Sequence, residues 1–535
     1  MLALQAISEV ATSALVGTFA ANGDIVAELN INDLASLRIY AATREFITYA
    51  TDTPANQPFI GTLEKPITFE RSIINTSGFG EINIGYGELE LINTEADYDG
   101  LIDHHGVDGQ RVRLRIGLED NLHIVDSYNN FTIVADLTAT GWTITEDRMT
   151  ISLRDNSFLL EVPAQPNSYA GTGDLEGGED LAGKRKPLVC GQVRNISPPL
   201  LIPAELVYQV HDGSVEAIDA VYDAAGLLEN HGDHPDSDTM RATIIMDGYV
   251  TCLAEGLFML GASPFGKITA DVRGENTDGY IETTADIVSF LILNASDLTI
   301  DDFDLQSFEV ANEIQPAPIG YFLNTDSNAT VAEVVGRLMG AISGWIGFDS
   351  IGKLQIGLVN VPSTVVVARY DQHDIITLTR DRLPSGVDPI IQRARVAYDV
   401  NWTVQQGTEL IGEVFETQPE LVSYLASPFR IAEPSEDQSG SILGFHPLAI
   451  DPDPVEAYFV NFSDAQAEAD QRMALYGTER SMYRFTLKEH LFDQDIGDSI
   501  LLTVPRLGLT NGKYLLVVQT REDLEQTETE VVGFG

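Results

Sequence analysis

The sequence predicts a mainly β chain with α+β pieces, built as several domains with β-barrel or β-sandwich units at both ends. Three observations lead there. The chain has 535 residues, too many for one core, and 44% of them are hydrophobic, enough to fill several interiors. Short runs of alternating apolar and polar residues recur towards both ends. Helical periodicity is confined to a few stretches, and 45 glycines punctuate the chain.

The first strands are read from IVAELNIND and ASLRIYAAT, within residues 25–50. PITFERSI and FGEINIGYGELELIN continue the pattern. Ile82, Ile84 and Tyr86 share one parity while Leu89 and Leu91 share the other, so a one-residue slip at Gly87 is expected, as in a β-bulge. RVRLRIG and MTISLRD are further strands, giving one β domain over 1–162. Residues 163–187 are rich in Gly and Pro and read as a linker or long exposed loop. In the α+β insertion over 188–320, LVYQVHD and ATIIMDG read as strands, a helix begins near Thr283, and LTIDDFDLQSFEV is strand-like.

A small helix-plus-hairpin module is expected over 321–370. Its helix, 330–344, places Val331, Val334, Val335, Leu338 and Ile342 on one face. Thr330 and Glu333 form a capping box, and Gly344 marks the end. WIGFD-SIGK-LQIGLV follows as the hairpin. The last β-rich domain, 371–535, holds strands in RARVAYDVNWTV, SMYRFTLKE, DSILLTV and YLLVVQT. It also holds a helix over 463–476, with Ser463 and Gln466 as capping box and Gly477 as stop. Asn511-Gly512 is a tight-hairpin signal.

Charge narrows the function. Against 81 acidic residues stand 31 basic ones, a net charge of −50. Such a surface repels nucleic-acid phosphates and anionic lipid, and it suits a chain kept soluble in salt. Cys190 and Cys252 alone cannot form a four-cysteine metal or iron–sulfur site, and read as small buried hydrophobes. The opening MLALQAISEVATSALVG lacks the features of a secretion signal, and no apolar run approaches the ~18 residues of a membrane span. A soluble chain is expected.

Candidate sites are few. His104 and His105 sit among Asp97, Asp99, Asp103 and Asp108, but adjacent histidines on extended chain point to opposite faces, and the spacing is not that of a calcium loop. A polar hairpin loop is expected there. Arg111, Arg113 and Arg115 alternate with Val112, Leu114 and Ile116, giving a strand with a cationic face. That face pairs with carboxylates of its own chain or meets an acidic neighbouring subunit. His231, Asp233 and His234, in NHGDHPDSD, are the remaining weak metal candidates; a solvated turn is the competing reading. No nucleophile elbow, zinc-protease motif or phosphate-binding loop occurs, and no carboxylate pair is marked out for glycoside hydrolysis. Trp142, Trp345 and Trp402 lie in strand-like text and are expected in cores.

Several segments together resemble a family of tail hub or baseplate proteins of long-tailed (siphovirus-type) phages and prophages of alphaproteobacteria. They are DTPANQPFIGTLEKPITFERSI, FGEINIGYGELELINTEADYDGLI, GKRKPLVCGQVRNISPPLL with VYQVHDG, GASPFGKITADVRG, GWIGFDSIGKLQIG, VAYDVNWTVQ and IGDSILLTVPRLGLTNGKYLLVV, spread from about residue 50 to 520. The resemblance implies a structural protein with tail-tube-like β-barrel domains, assigned here to the two ends. A homotrimer would close the tail tube as a ring and open for DNA passage. The implied partners are further copies of itself, a distal tail protein, a tape-measure protein and tail fibre or receptor-binding proteins. DNA passes without sequence-specific binding. The implied location is the virion's tail tip after synthesis in the host cytoplasm, with no catalytic residue and no cofactor. An acidic lumen would keep DNA from sticking. The alternatives are a hexameric distal tail protein with a receptor-binding appendage, or a tail-associated glycan-binding or cell-wall-degrading protein.

Overall fold

The computed structural model describes residues 23–31, 37–75, 78–101, 105–120, 123–124, 127–384, 388–436, 440–488, 494–524 and 528–535. The fold is mainly β, with 38% strand against 20% helix. Two eight-stranded sheets dominate it.

The first sheet runs in the order Leu37–Ala42, Gly23–Ile31, Arg111–Asp120, Thr132–Ile144, Arg148–Arg154, Glu88–Ile92 and Leu63–Lys65, with His123–Ile124 paired to Arg111–Asp120. All neighbours are antiparallel. The alternation read from RVRLRIG puts Val112, Leu114 and Ile116 into its core with Leu89, Leu91, Leu137, Met149 and Ile151.

The second sheet draws on both ends of the chain. Its main path is Ala368–Asp371, Ser499–Thr503, Lys513–Asp523, Glu528–Phe534, Met482–Leu487 and Ile375–Asp381. Thr68–Asn75 pairs with Lys513–Asp523, matching Gln519 with Ser72 and Asp523 with Thr68, and carries Gly78–Tyr86 beside it. The strands read from PITFERSI and from the start of FGEINIGYGELELIN, expected within the first β domain, therefore belong to the second sheet. This also corrects the reading of Gly87. The change of parity there is not a bulge: Gly78–Tyr86 lies in the second sheet and Glu88–Ile92 in the first. The chain changes sheets at that glycine, whose N–H donates to Thr68 O at 3.1 Å. Leu89 and Leu91 then face the core of the first sheet.

Within YLLVVQT, residues 515–518 are apolar without interruption because the sheet is buried on both faces there. Leu515 and Val517 pack with Phe485 and Val531 on one side. Leu516 and Val518 pack with Ile73, Trp345 and Leu475 on the other. Asn511-Gly512 closes no two-residue turn: Leu502 pairs with Lys513, and residues 504–512 form the connection. Gly512 still takes a left-handed φ of 77°.

Between the large sheets lie two five-stranded ones. Leu188–Ile196 sits between Ile268–Glu275 and Gly320–Leu323 in one; Leu257–Leu260 sits between Val207–Gln209 and Tyr249–Cys252 in the other. Residues 163–187 are packed rather than free: Tyr169 and Leu181 are buried against Val250 and Cys252. ATIIMDG forms no strand, and Ile244 and Met246 are exposed. LTIDDFDLQSFEV becomes a 3-10 turn, Ile300–Asp302, and a helix, Leu305–Ile314. Phe308 and Ala311, three apart, are its buried stripe, a helical spacing hidden by the acidic residues before it.

The expected helices form. Thr284–Ala295 is capped by Thr283, and Val331–Ala341 carries the Thr330/Glu333 capping box. Phe462–Tyr476 starts at Asn461 rather than Ser463, without the expected box, and ends at Gly477. One core joins these helices to the hairpin Gly344–Phe348 and Leu354–Leu358, through Ile287, Leu291, Val334, Leu338, Ile346, Ala465 and Ala469. It spans the expected boundaries at 320 and 370. Arg472 reinforces it: its guanidinium donates to Gly340 O at 2.9 Å and Ala341 O at 3.1 Å, satisfying carbonyls at the end of Val331–Ala341. Glu468, 1% exposed, accepts from Arg472 at 2.7 Å and from Ser343 at 3.1 Å.

Gly191 and Gly320 face each other across the pair Leu188–Ile196 and Gly320–Leu323. A Cβ on Gly320 would sit 1.7 Å from Gln192 O, and one on Gly191, where φ is 67°, 1.9 Å from Ile319 O. Gly320→Ala is therefore expected to force this pair of strands apart and cost about 1–3 kcal/mol. A lowered thermal midpoint of the soluble chain checks this, and an unchanged midpoint would contradict the close approach.

Candidate assembly site

The cationic strand is resolved as an intrachain cluster. Arg111–Asp120 lies inside the first sheet, paired on both sides, so it offers a face and not an edge. Arg111 and Arg113 both bind Asp136 on the adjacent Thr132–Ile144, Arg113 Nε at 3.0 Å. Asp136 is 7% exposed. Arg115 lies over the Tyr128 ring at 5.0 Å. One carboxylate thus serves two guanidiniums, and the Arg111 side chain is 58% exposed.

The other sequence candidates disperse. Asp103 and His104 lie outside the described residues, and Asp99 accepts from Asn93 Nδ2 at 2.8 Å in a turn. His231 Nε2 meets Asp247 at 3.1 Å. Asp233 accepts from Thr251 Oγ1 at 2.8 Å and from the Leu253 N–H at 3.0 Å. His234 lies 3.4 Å from Thr243 Oγ1. This stretch is no simple turn: Asn230–Asp233 is an exposed edge strand, and Asp236 caps the helix Ser237–Arg241 by accepting from the Thr239 N–H at 2.7 Å. Among the described residues no three His, Cys, Asp or Glu side chains are placed to hold a metal ion. Cys190 and Cys252 are buried and unbridged, and burial pushes both thiols up, Cys252 to about 11, so neither is a nucleophile at neutral pH. Trp345 is buried in the core under the second sheet; Trp142 and Trp402 are half-buried, the latter stacked on Tyr458.

Sequence reasoning missed the charge junction where three distant segments meet. Arg71, on Thr68–Asn75, is 4% exposed and reaches Asp495 Oδ1 at 2.5 Å. Asp495 also accepts from Gln355 Nε2 at 3.0 Å. Beside them Asp349, in the turn of the 344–358 hairpin, accepts from the N–H groups of Lys353 at 2.7 Å and Ile351 at 3.0 Å. Burial pushes the Asp349 carboxyl up to about 6, with Asp495 adding to the rise and Arg71 opposing it. The only signal in the sequence was an arginine in an otherwise half-apolar strand, which is common on solvated faces. A second missed group is His211, fully buried: it takes the Val189 N–H on Nδ1 at 2.9 Å and meets Glu275 through Nε2 at 3.0 Å.

No family model matches the chain, and no curated protein matches it. Among solved structures, 96% of the chain is similar to 97% of a tail protein from Neisseria meningitidis MC58, at 8% identity and a TM-score of 0.39. It is similar, over 96% of its length and 98% of the other chain, to the 43 kDa tail protein of prophage MuSo2 from Shewanella oneidensis, at 9% identity and a TM-score of 0.39. Over 66% of its length it is similar to 84% of a chain in the virion of a native gene transfer agent particle, at 13% identity and a TM-score of 0.41. Among the described residues no helix is long and apolar enough to cross a membrane.

The junction is pH-sensitive in a fixed direction. The folded Asp349 carboxyl titrates near 6, above its ordinary 3.8, so folding favours the neutral acid. Its contribution is fully present below about pH 4 and is lost as pH rises through about 6. Asp349→Asn is expected to stabilise the chain by about 1–3 kcal/mol at pH 8 and to change little at pH 4. Denaturation at the two pH values checks this; equal effects at both would contradict the assignment.

Proposed function

We propose that this chain is a structural hub of a phage tail tip, without catalytic activity, three copies of which form a ring below the tail tube. The observation that carries the reading is the pair of eight-stranded sheets in one chain, linked by the 68–92 crossing. Three such chains supply six β units, the number needed to match a hexameric tube. The resemblance of the quoted segments supports the same reading.

Two surfaces suit ring formation. Ile375–Asp381 ends the second sheet and, among the described residues, pairs only with Met482–Leu487; Ile376 is 49% exposed along it. A free edge of this kind is covered when sheets pair around a ring. The second is the exposed end of the arginine strand: the Arg111 side chain, 58% exposed, is placed to meet a carboxylate of a neighbouring copy. The partners implied are the distal tail, tape-measure and fibre or receptor-binding proteins, with the lumen acidic enough to pass DNA without holding it.

Imaging of purified particles tests the location, copy number and lumen together. Three copies at the tail tip are expected; six copies would favour a distal tail protein, and absence from the particle would remove the proposal. In solution, Ile376→Glu is expected to leave a folded monomer where the unaltered chain is a trimer by light scattering. A trimer that persists would rule out this edge. Arg111→Gln is expected to weaken the trimer several-fold at low salt and hardly at all in 1 M salt, where screening removes the attraction.

A further inference from the structure

A cleft of about 570 Å³ opens between the 188–275 sheet and the helix Pro419–Leu425. No part of the ring reading uses it. Its size falls in the ~300–1,000 Å³ range of ligand pockets. Its walls carry Arg194, Arg273, Arg430, Asp219 and Asp271, with Tyr222 and Tyr424 between them.

The charges are already balanced. Arg194 and Arg430 share Asp399, at 3.3 and 3.1 Å. Arg273 is held by Asp219 at 3.1 Å and Glu216 at 3.3 Å. Asp271 accepts from the Asn195 N–H at 2.8 Å and from the Tyr222 hydroxyl at 3.0 Å. An anion would find every guanidinium compensated, and a cation would find every carboxylate engaged. What remains is spare hydrogen-bonding capacity. A guanidinium has five N–H donors and a carboxylate about four acceptor sites, and each pair above uses only part of them. Donors and acceptors thus alternate around one wall, beside the apolar Leu421 and Leu425.

Two further features mark the cleft as built. Tyr424 is 9% exposed, and its buried hydroxyl has no hydrogen-bond partner. Asn195 and Asp399 both hold left-handed φ angles, 54° and 51°, a strain that the surrounding bonds maintain. Asn195 Nδ2 is fixed by Asn401 Oδ1 at 2.7 Å and Thr403 O at 2.6 Å.

We propose that this cleft binds a neutral saccharide unit. Vicinal hydroxyls both donate and accept, which is what alternating Arg and Asp side chains require of a ligand. The sugar's apolar face would lie on the leucine side, and its hydroxyls would meet the spare donors and acceptors of Arg273, Asp219 and Asp271.

The test uses the full chain with glucose, galactose, rhamnose and N-acetylglucosamine as probes, read by saturation transfer to the sugar. Glucuronate and inorganic phosphate serve as charged controls. At least one neutral sugar is expected to bind at millimolar concentration. Arg273→Gln is expected to weaken it about tenfold, because donors are removed from the charged wall. Asp219→Asn should weaken it too. The proposal is overturned if no neutral sugar binds, if binding survives both substitutions, or if only the charged controls bind. None of these outcomes bears on the number of chains in the ring.

Discussion

Arg71 and its strand hold the architecture together. Thr68–Asn75 leaves the segment that builds the first sheet and enters the second, where it pairs with Lys513–Asp523. Its arginine, almost wholly buried, then reaches Asp495, and Asp495 in turn holds Gln355 of the middle hairpin. Three parts of the sequence, more than 100 residues apart from one another, are tied at one point. Two nitrogens of Arg71 have no partner among the described residues, so the contact is not an efficient source of stability. An apolar pair of equal volume would serve as well or better on energy alone. What the ion pair adds is register, since sliding Thr68–Asn75 by two residues would leave the guanidinium buried without its carboxylate.

The same logic extends through the middle of the chain. Helix Phe462–Tyr476 lies between the 331–341 helix and the second sheet: Ala465 and Ala469 enter the helical core, while Leu475 enters the core beneath the sheet. Arg472 closes the carbonyl end of its neighbour, and Glu468 balances that charge internally. Trp345 crosses the same divide from the hairpin side. A displacement of the second sheet must therefore move the helix packed on it, because close-packed interiors transmit strain instead of absorbing it.

Local signals in the sequence were read well where they had a local cause. Thr330 and Glu333 cap a helix because the bonds span only three residues, and RVRLRIG alternates because one face meets a core. Errors arose where the cause lay far along the chain. The parity change at Gly87 was real, but a bulge and a change of sheet leave the same mark on the sequence. LTIDDFDLQSFEV contains only Phe308 of the helix's buried stripe, since Ala311 lies just beyond it, and the acids before it masked the period. ATIIMDG has strand composition without a sheet to join. As for sites, the Arg111–Arg115 alternation located a real cluster, while its partner Asp136 could not be singled out among 81 acids. The Arg194–Asp399–Arg430 cleft was invisible because its parts come from segments about 200 residues apart.

Charge sets a further constraint on how such chains can meet. Copies with a net charge of −50 repel at long range, and the repulsion is screened beyond about 8 Å at physiological salt. The cations that could counter it are largely committed inside each chain: Arg71, Arg194, Arg273, Arg393, Arg472 and Arg484 all have acidic partners of their own. Attraction between copies must then come mainly from short-range contacts, namely backbone pairing at a sheet edge and apolar burial around it. Salt should favour the first approach of two copies while weakening local contacts made through Arg111. The proposed ring would then be held by its edges, with the acidic excess left for surfaces away from those contacts.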